Sequence, residues 1–305
     1  MKTIVQYIKQ WFYEEDKALL CIVTFLAAIL IWLNYHFGID PYISDQESFA
    51  FSFATRSLIF LVAFGLPYFV MALINKNWVF QKRNFVVLLF VAPLLFSFKV
   101  ALNPIVHISG THPASSFVNH ALYWPLLFVI ITTILLMLWL IFDRDQPFYG
   151  VKTKHINWRP YIIMLAVMVP LVAAASTQPD FLQMYPKLRV ITGLEGIDRL
   201  AWWQKLLFEL SYGSDFMTIE LFFRGFLILA LMRICGMHCI IPVACFYCMI
   251  HLGKPMGEAI SSFFGAIVLG VVVYNTRSIW GGLIVHLGIA WMMELAGWLS
   301  HLLKT

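Results

Sequence analysis

Apolar residues run along this chain in long blocks separated by short polar joints. Nine blocks can be marked off, near 18–34, 57–75, 84–101, 119–142, 160–176, 206–233, 238–252, 257–275 and 279–302. Most approach or exceed the roughly 20 residues that an α-helix needs to cross a bilayer. They predict an all-α, polytopic membrane helix bundle of about eight or nine transmembrane helices. The seventh block is short and ends at His251, which suits a helix that stops inside the protein rather than at the lipid surface. The amphipathic, aromatic lead IVQYIKQWFYEED predicts a helix lying on the membrane surface, and it does not read as a cleavable signal peptide. Pro67, Pro93, Pro125, Pro170 and Pro242 fall inside blocks and predict kinks.

Composition agrees with the pattern. The 305 residues are 61% hydrophobic and 12% charged, with a mean hydropathy of +0.81. A soluble globular chain is about half apolar and a quarter charged. The formal net charge of +5 does not imply nucleic acid as a partner, because the basic residues sit in short loops between apolar blocks. Lys2, Lys9, Lys17, Lys76, Lys82, Arg83, Arg144, Lys152, Lys154, Arg159, Arg233 and Arg277 all fall on one side if the N-terminus is cytoplasmic and the C-terminus is not. The opposite loop 102–118 carries no Lys, Arg, Asp or Glu. Loop 177–204 is mixed, with Lys187, Arg189 and Arg199 beside Asp180, Glu195 and Asp198, and ends on Trp202 and Trp203 as interfacial anchors. No internal repeat, low-complexity tract or soluble linker divides the chain. It reads as one domain, with residues 1–176 as scaffold helices and 177–305 as a loop plus the working core.

The five cysteines, Cys21, Cys235, Cys239, Cys245 and Cys248, lie in or beside predicted helices. The later four read CGMHC and CFYC without the loop context of a zinc knuckle, so they are expected to be free, buried and inert.

Polar groups gather late in the chain. Before residue 206 the notable ionisable groups within the blocks are Lys99 and His120; the last hundred residues hold Glu209, Asp215, Glu220, Arg224, His238, His251, Glu258, His286 and Glu294. An ionised group at membrane depth costs roughly 2.5 to 3.5 kcal/mol on insertion scales, and such groups mark functional sites by default. The sharpest stretch is FMTIELFFRG, 216–225. Its Glu220 and Arg224 are four residues apart, on one helix face and close enough to pair. Tyr247 lies one turn before His251. His286 follows Gly281 and Gly282, and Gly288 comes two residues later, so neighbouring helices can approach closely there. Imidazoles with a carboxylate suit a hydrolytic zinc site, a general-base site that activates water, or a proton relay in a transporter. No inverted repeat of the kind that transporters use is visible.

In order, Glu220-xxx-Arg224-Gly225, aromatic-xxx-His251 and His286 near the start of the last helix resemble the CAAX-protease and bacteriocin-processing family of intramembrane endopeptidases, also called CPBP or Abi proteins. The intervening Lys254-Pro255, Glu258 and Ser278-Ile-Trp280 fit the spacing. The resemblance covers roughly residues 206–292. It implies an integral protein of a bacterial inner (plasma) membrane that hydrolyses a peptide bond in a membrane-associated peptide or protein substrate. Water would be activated by His251, His286 and a carboxylate, Glu220 or Asp215, with Arg224 positioning the carboxylate. Zn2+ or another divalent metal held by His251, His286 and Glu220 is compatible with that set, and so is a metal-free, glutamic-type reaction.

Two positions depart from the family pattern: Ile219 stands where its first glutamate would be and Ala290 where its final Asn or Asp would be. Asp215 lies one α-helical turn before Ile219, about 6 Å along the axis, and can substitute for the missing carboxylate. Glu294 lies one turn beyond Ala290. It either completes the polar set or pairs with a neighbour. The departures also leave open a catalytically degenerate member that binds a membrane peptide as an immunity or regulatory protein.

Overall fold

The computed structural model describes residues 2–75, 80–102, 112–151, 156–192 and 200–304. Parts of the predicted loops, with Lys76, Lys152, Lys154, Glu195, Asp198 and Arg199, lie outside the described residues. Every one of the nine apolar blocks is a helix, and no strand occurs among the described residues. The helices are α1 (Lys2–Glu14), α2 (Lys17–Phe37), α3 (Ile39–Ser44), α4 (Phe49–Asn75), α5 (Arg83–Ala101), α6 (His112–Phe142), α7 (Arg159–Ala175), α8 (Pro179–Met184) and α9 (Lys187–Thr192). They continue with α10 (Trp202–Ile219), a π-helical stretch (Glu220–Ile228), α11 (Leu229–Cys235), α12 (Ile240–Met249), α13 (Met256–Thr276) and α14 (Trp280–Lys304). Among the described residues seven helical spans are long and apolar enough to cross a membrane, the span Trp202–Met249 being 48 residues long. Helix α7, at 17 residues, is a shorter apolar helix.

Local sequence accounts for many of the helix ends. Asp16 caps α2, its Oδ1 accepting from the backbone N–H of Ala18 at 2.8 Å and of Leu19 at 3.1 Å. Gly38, with φ 64°, closes α2 in the left-handed conformation that glycine adopts without steric cost. Gly236 ends α11 with φ 57° and ψ −138°, a positive-φ conformation outside the left-handed helical region that glycine also adopts most readily. Pro67, Pro93, Pro125 and Pro170 lie inside continuous helices. Pro242 does not interrupt a helix, because it is the third residue of α12, in the first turn, where its missing N–H would have no intrahelical partner.

The described chain divides into two compact units that interleave along the sequence. One comprises Met1–Leu102, Asp143–Thr153 and Phe222–Ile279, and the other Asn103–Phe142, Lys154–Leu221 and Trp280–Thr305. The boundary passes through the π-helical stretch, between Leu221 and Phe222.

In the first unit, α4 packs along α5, and α12 packs on α13, α4 and α2. Phe60, Phe64, Phe96, Phe222, Phe223 and Phe246 form its aromatic core with ring centroids 5.0 to 6.2 Å apart. Helix α1 docks on α13 through the buried Ile4 and Trp11, seven residues apart on one face, while Phe12 and Tyr13 stay exposed. The early helices carry more buried charge than the apolar blocks suggested. Glu15, just after α1, is buried and meets His238 Nδ1 at 2.7 Å. Asp143, just past α6, is also buried, and burial raises its carboxyl above the usual range.

In the second unit, α6 packs along α10 and α7 along α14. Phe117, Trp124, Phe208, Tyr212, Phe216 and Leu283 belong to its apolar cluster.

Candidate active site

The first residue of the π-helical stretch and the first turns of α14 bring Glu220 and His286 together in the second unit. Glu220 Oε1 lies 3.0 Å from His286 Nδ1. The Glu220 side chain is fully buried and that of His286 is 13% exposed. A carboxylate in its ionised form only accepts hydrogen bonds, and against that form Nδ1 is the donor of the contact. Phe216, one turn before Glu220, sets its ring edge-on to the imidazole at a centroid distance of 4.7 Å.

Glycine makes room for this pair. A Cβ on Gly282 would stand 2.6 Å from Glu220 Oε2, closer than such atoms approach. Gly282 and His286 are four residues apart and share a face of α14, so one face supplies both the space for the carboxylate and its partner. Gly281 and Gly288 open the adjoining face to α7, where Tyr161 and Leu165 fill the positions that their Cβ atoms would take. Gly213 on α10 is in contact range of Leu287 and Trp291 of α14. Close packing on two faces holds α14 in register with Glu220.

Arg224, Tyr247 and His251 are gathered in the first unit. The Arg224 guanidinium carbon lies 4.0 Å from the centroid of the Tyr247 ring, and both residues are buried. Tyr247 in turn contacts the His251 ring at 4.8 Å, and His251 Nδ1 meets the Tyr247 carbonyl at 3.1 Å. A carbonyl accepts only, so Nδ1 is the donor in this contact. Tyr247 is therefore in contact with both a cation and an imidazole. The aromatic one turn before His251 was visible in the sequence; its contact with Arg224, 23 residues earlier in the chain, was not.

The remaining candidates are placed as follows. Asp215 is half-buried on α10, directly before Phe216. Ile219 is buried, and Ala290 belongs to the apolar cluster of the second unit. Glu294 is buried, and its Oε2 accepts the Lys187 backbone N–H at 2.8 Å, which ties α14 to the first residue of α9. Glu258 faces Lys254 at 3.7 Å, one turn away. All five cysteines are free, Cys21 exposed and the other four buried. Among the described residues no three His, Cys, Asp or Glu side chains are grouped so as to hold a metal ion.

Asp215, Glu220 and His286 belong to the second unit, and Arg224, Tyr247 and His251 to the first. No curated protein and no solved structure matches the chain. Residues 202–292, the segment that carries all of these side chains, match the protein-family model described as type II CAAX prenyl endopeptidase Rce1-like.

Proposed function

We propose that the protein is an intramembrane endopeptidase that uses the Glu220–His286 pair to activate water. The observation that carries this reading is the 3.0 Å contact between a fully buried carboxylate and an imidazole. Glu220 orients His286 and stabilises its protonated form. His286 Nε2 takes a proton from water as the water oxygen bonds to the peptide carbonyl carbon. The same proton then passes to the leaving nitrogen as the C–N bond breaks. Arg224 and His251 hold the other two motif positions, which the resemblance gives to positioning a carboxylate and to activating water. Asp215 is the alternative carboxylate for this role.

The second reading, a member that binds a membrane peptide without cutting it, is favoured by Ile219 and Ala290. Both family positions are occupied here by buried apolar side chains, Ala290 within an apolar cluster.

The test is cleavage of a membrane-anchored peptide library, in prenylated and unprenylated versions, by the full chain in liposomes. Glu220→Gln and His286→Ala are expected to lower turnover about 100-fold or more, in the range of a lost general base. Asp215→Ala separates the two carboxylates, and a chelator arm is expected to leave turnover unchanged. Loss of activity with the chelator would move the reaction to a metal. No cleavage by wild type across both libraries would favour the binding reading.

A further inference from the structure

Helix α12 has ten residues and is about 15 Å long, half of the roughly 30 Å hydrocarbon core. The turn that follows it leaves carbonyl groups beyond the helix end that need partners within the protein or water, since lipid tails supply none. Three of its bonds are internal: His251 N–H to the Cys248 carbonyl, Leu252 N–H to Met249, and Lys254 N–H to His251, at 3.0, 3.4 and 3.0 Å. The carbonyls of Leu252 and Lys254 are taken up by the distant helix α2. Asn34 Nδ2 donates to the Leu252 carbonyl at 2.9 Å, and the Tyr35 hydroxyl donates to the Lys254 carbonyl at 2.5 Å.

Asn34 is held in its turn. It is buried, and its Oδ1 accepts the Asp40 backbone N–H at 2.8 Å. The two contacts fix the orientation of the amide, because one end needs a donor and the other an acceptor. Asp40 is anchored by an ion pair with Arg56 of α4. Its carboxylate also packs against Gly253, where a Cβ would come within 2.5 Å of Oδ2.

We propose that Asn34 is a positioning residue for His251, acting through the Leu252 carbonyl. This inference rests on the endopeptidase reading for its effect on turnover, but not for its effect on His251 itself. The latch joins the turn to α2 and α3, so the ring of His251 keeps one direction although it lies beyond the end of its own helix.

Asn34→Leu removes both amide contacts at similar volume. Asn34→Asp keeps the acceptor for Asp40 and removes the donor to Leu252, so it separates the anchoring of α3 from the hold on the turn. In the full chain in liposomes both variants are expected to lower kcat on the order of 10- to 100-fold with KM little changed, as a displaced but intact group does. Carbethoxylation of His251 by diethyl pyrocarbonate, read by peptide mass spectrometry on folded protein, is expected to be several-fold faster in both. Wild-type values of kcat and of the labelling rate in Asn34→Asp would overturn the proposal. If wild type cleaves nothing, the endopeptidase reading fails and the labelling rate alone decides, faster labelling supporting the latch and an unchanged rate sinking it.

Discussion

Glu220 and His286 are 66 residues apart in sequence and meet because Gly282 lacks a side chain. Two adjacent glycines of α14 therefore do different work, and two substitutions tell them apart. Gly282→Ala would place a methyl 2.6 Å from Glu220 Oε2, so the carboxylate must leave its position against His286. Turnover is expected to fall about 100-fold, the cost of an angstrom-scale displacement in a reacting pair. Gly281→Ala would drive a methyl into the Tyr161 ring instead. It is expected to cost about 1–3 kcal/mol of stability through overpacking and to spare more of the activity. Thermal unfolding and kcat measured on both variants check the assignment, and equal losses of kcat would undo it.

At the scale of elements, the helix ends hold more information than the spans. Glu294 was open between a place in the polar set and a local partner; one of its oxygens holds the first N–H of α9. Glu294→Ala is expected to destabilise the chain by about 1–3 kcal/mol, because it leaves that N–H without its acceptor. A shift in detergent unfolding well below this range would mean that water takes over the bond. The long apolar blocks, the short seventh helix and the glycines before His286 were legible in the sequence, since each is a local property of composition or spacing. Two kinds of feature were not. The π-helical stretch begins at Glu220, and i→i+5 bonding changes the direction of every side chain reckoned from the α-helical turn. The contact of Asn34 with Leu252 spans 218 residues, and nothing in the local pattern of either segment announces it.

For the whole molecule, burial divides the thiols sharply. Cys21 is exposed at the start of α2, while Cys235, Cys239, Cys245 and Cys248 lie within the first unit with no exposed surface to speak of. A maleimide dye that partitions into detergent is expected to label one thiol in the folded protein and the other four only on unfolding. Fast labelling of any of the four would show that this unit opens under native conditions.

The hold on the His251 turn has a consequence for how the sequence can drift. Asn34 and Tyr35 read main-chain carbonyls, and a carbonyl is the same whatever side chain its residue bears. Position 254, whose side chain is partly exposed, is then free to vary, and position 252 is constrained only by its apolar surroundings. Position 253 is different, because Asp40 occupies the space beside it. A comprehensive substitution scan would therefore show a position restricted to apolar residues, an intolerant one and a tolerant one in succession, and intolerance again at 34, far away in the chain. The rigidity of the turn would be inherited through α2 rather than through the turn's own side chains.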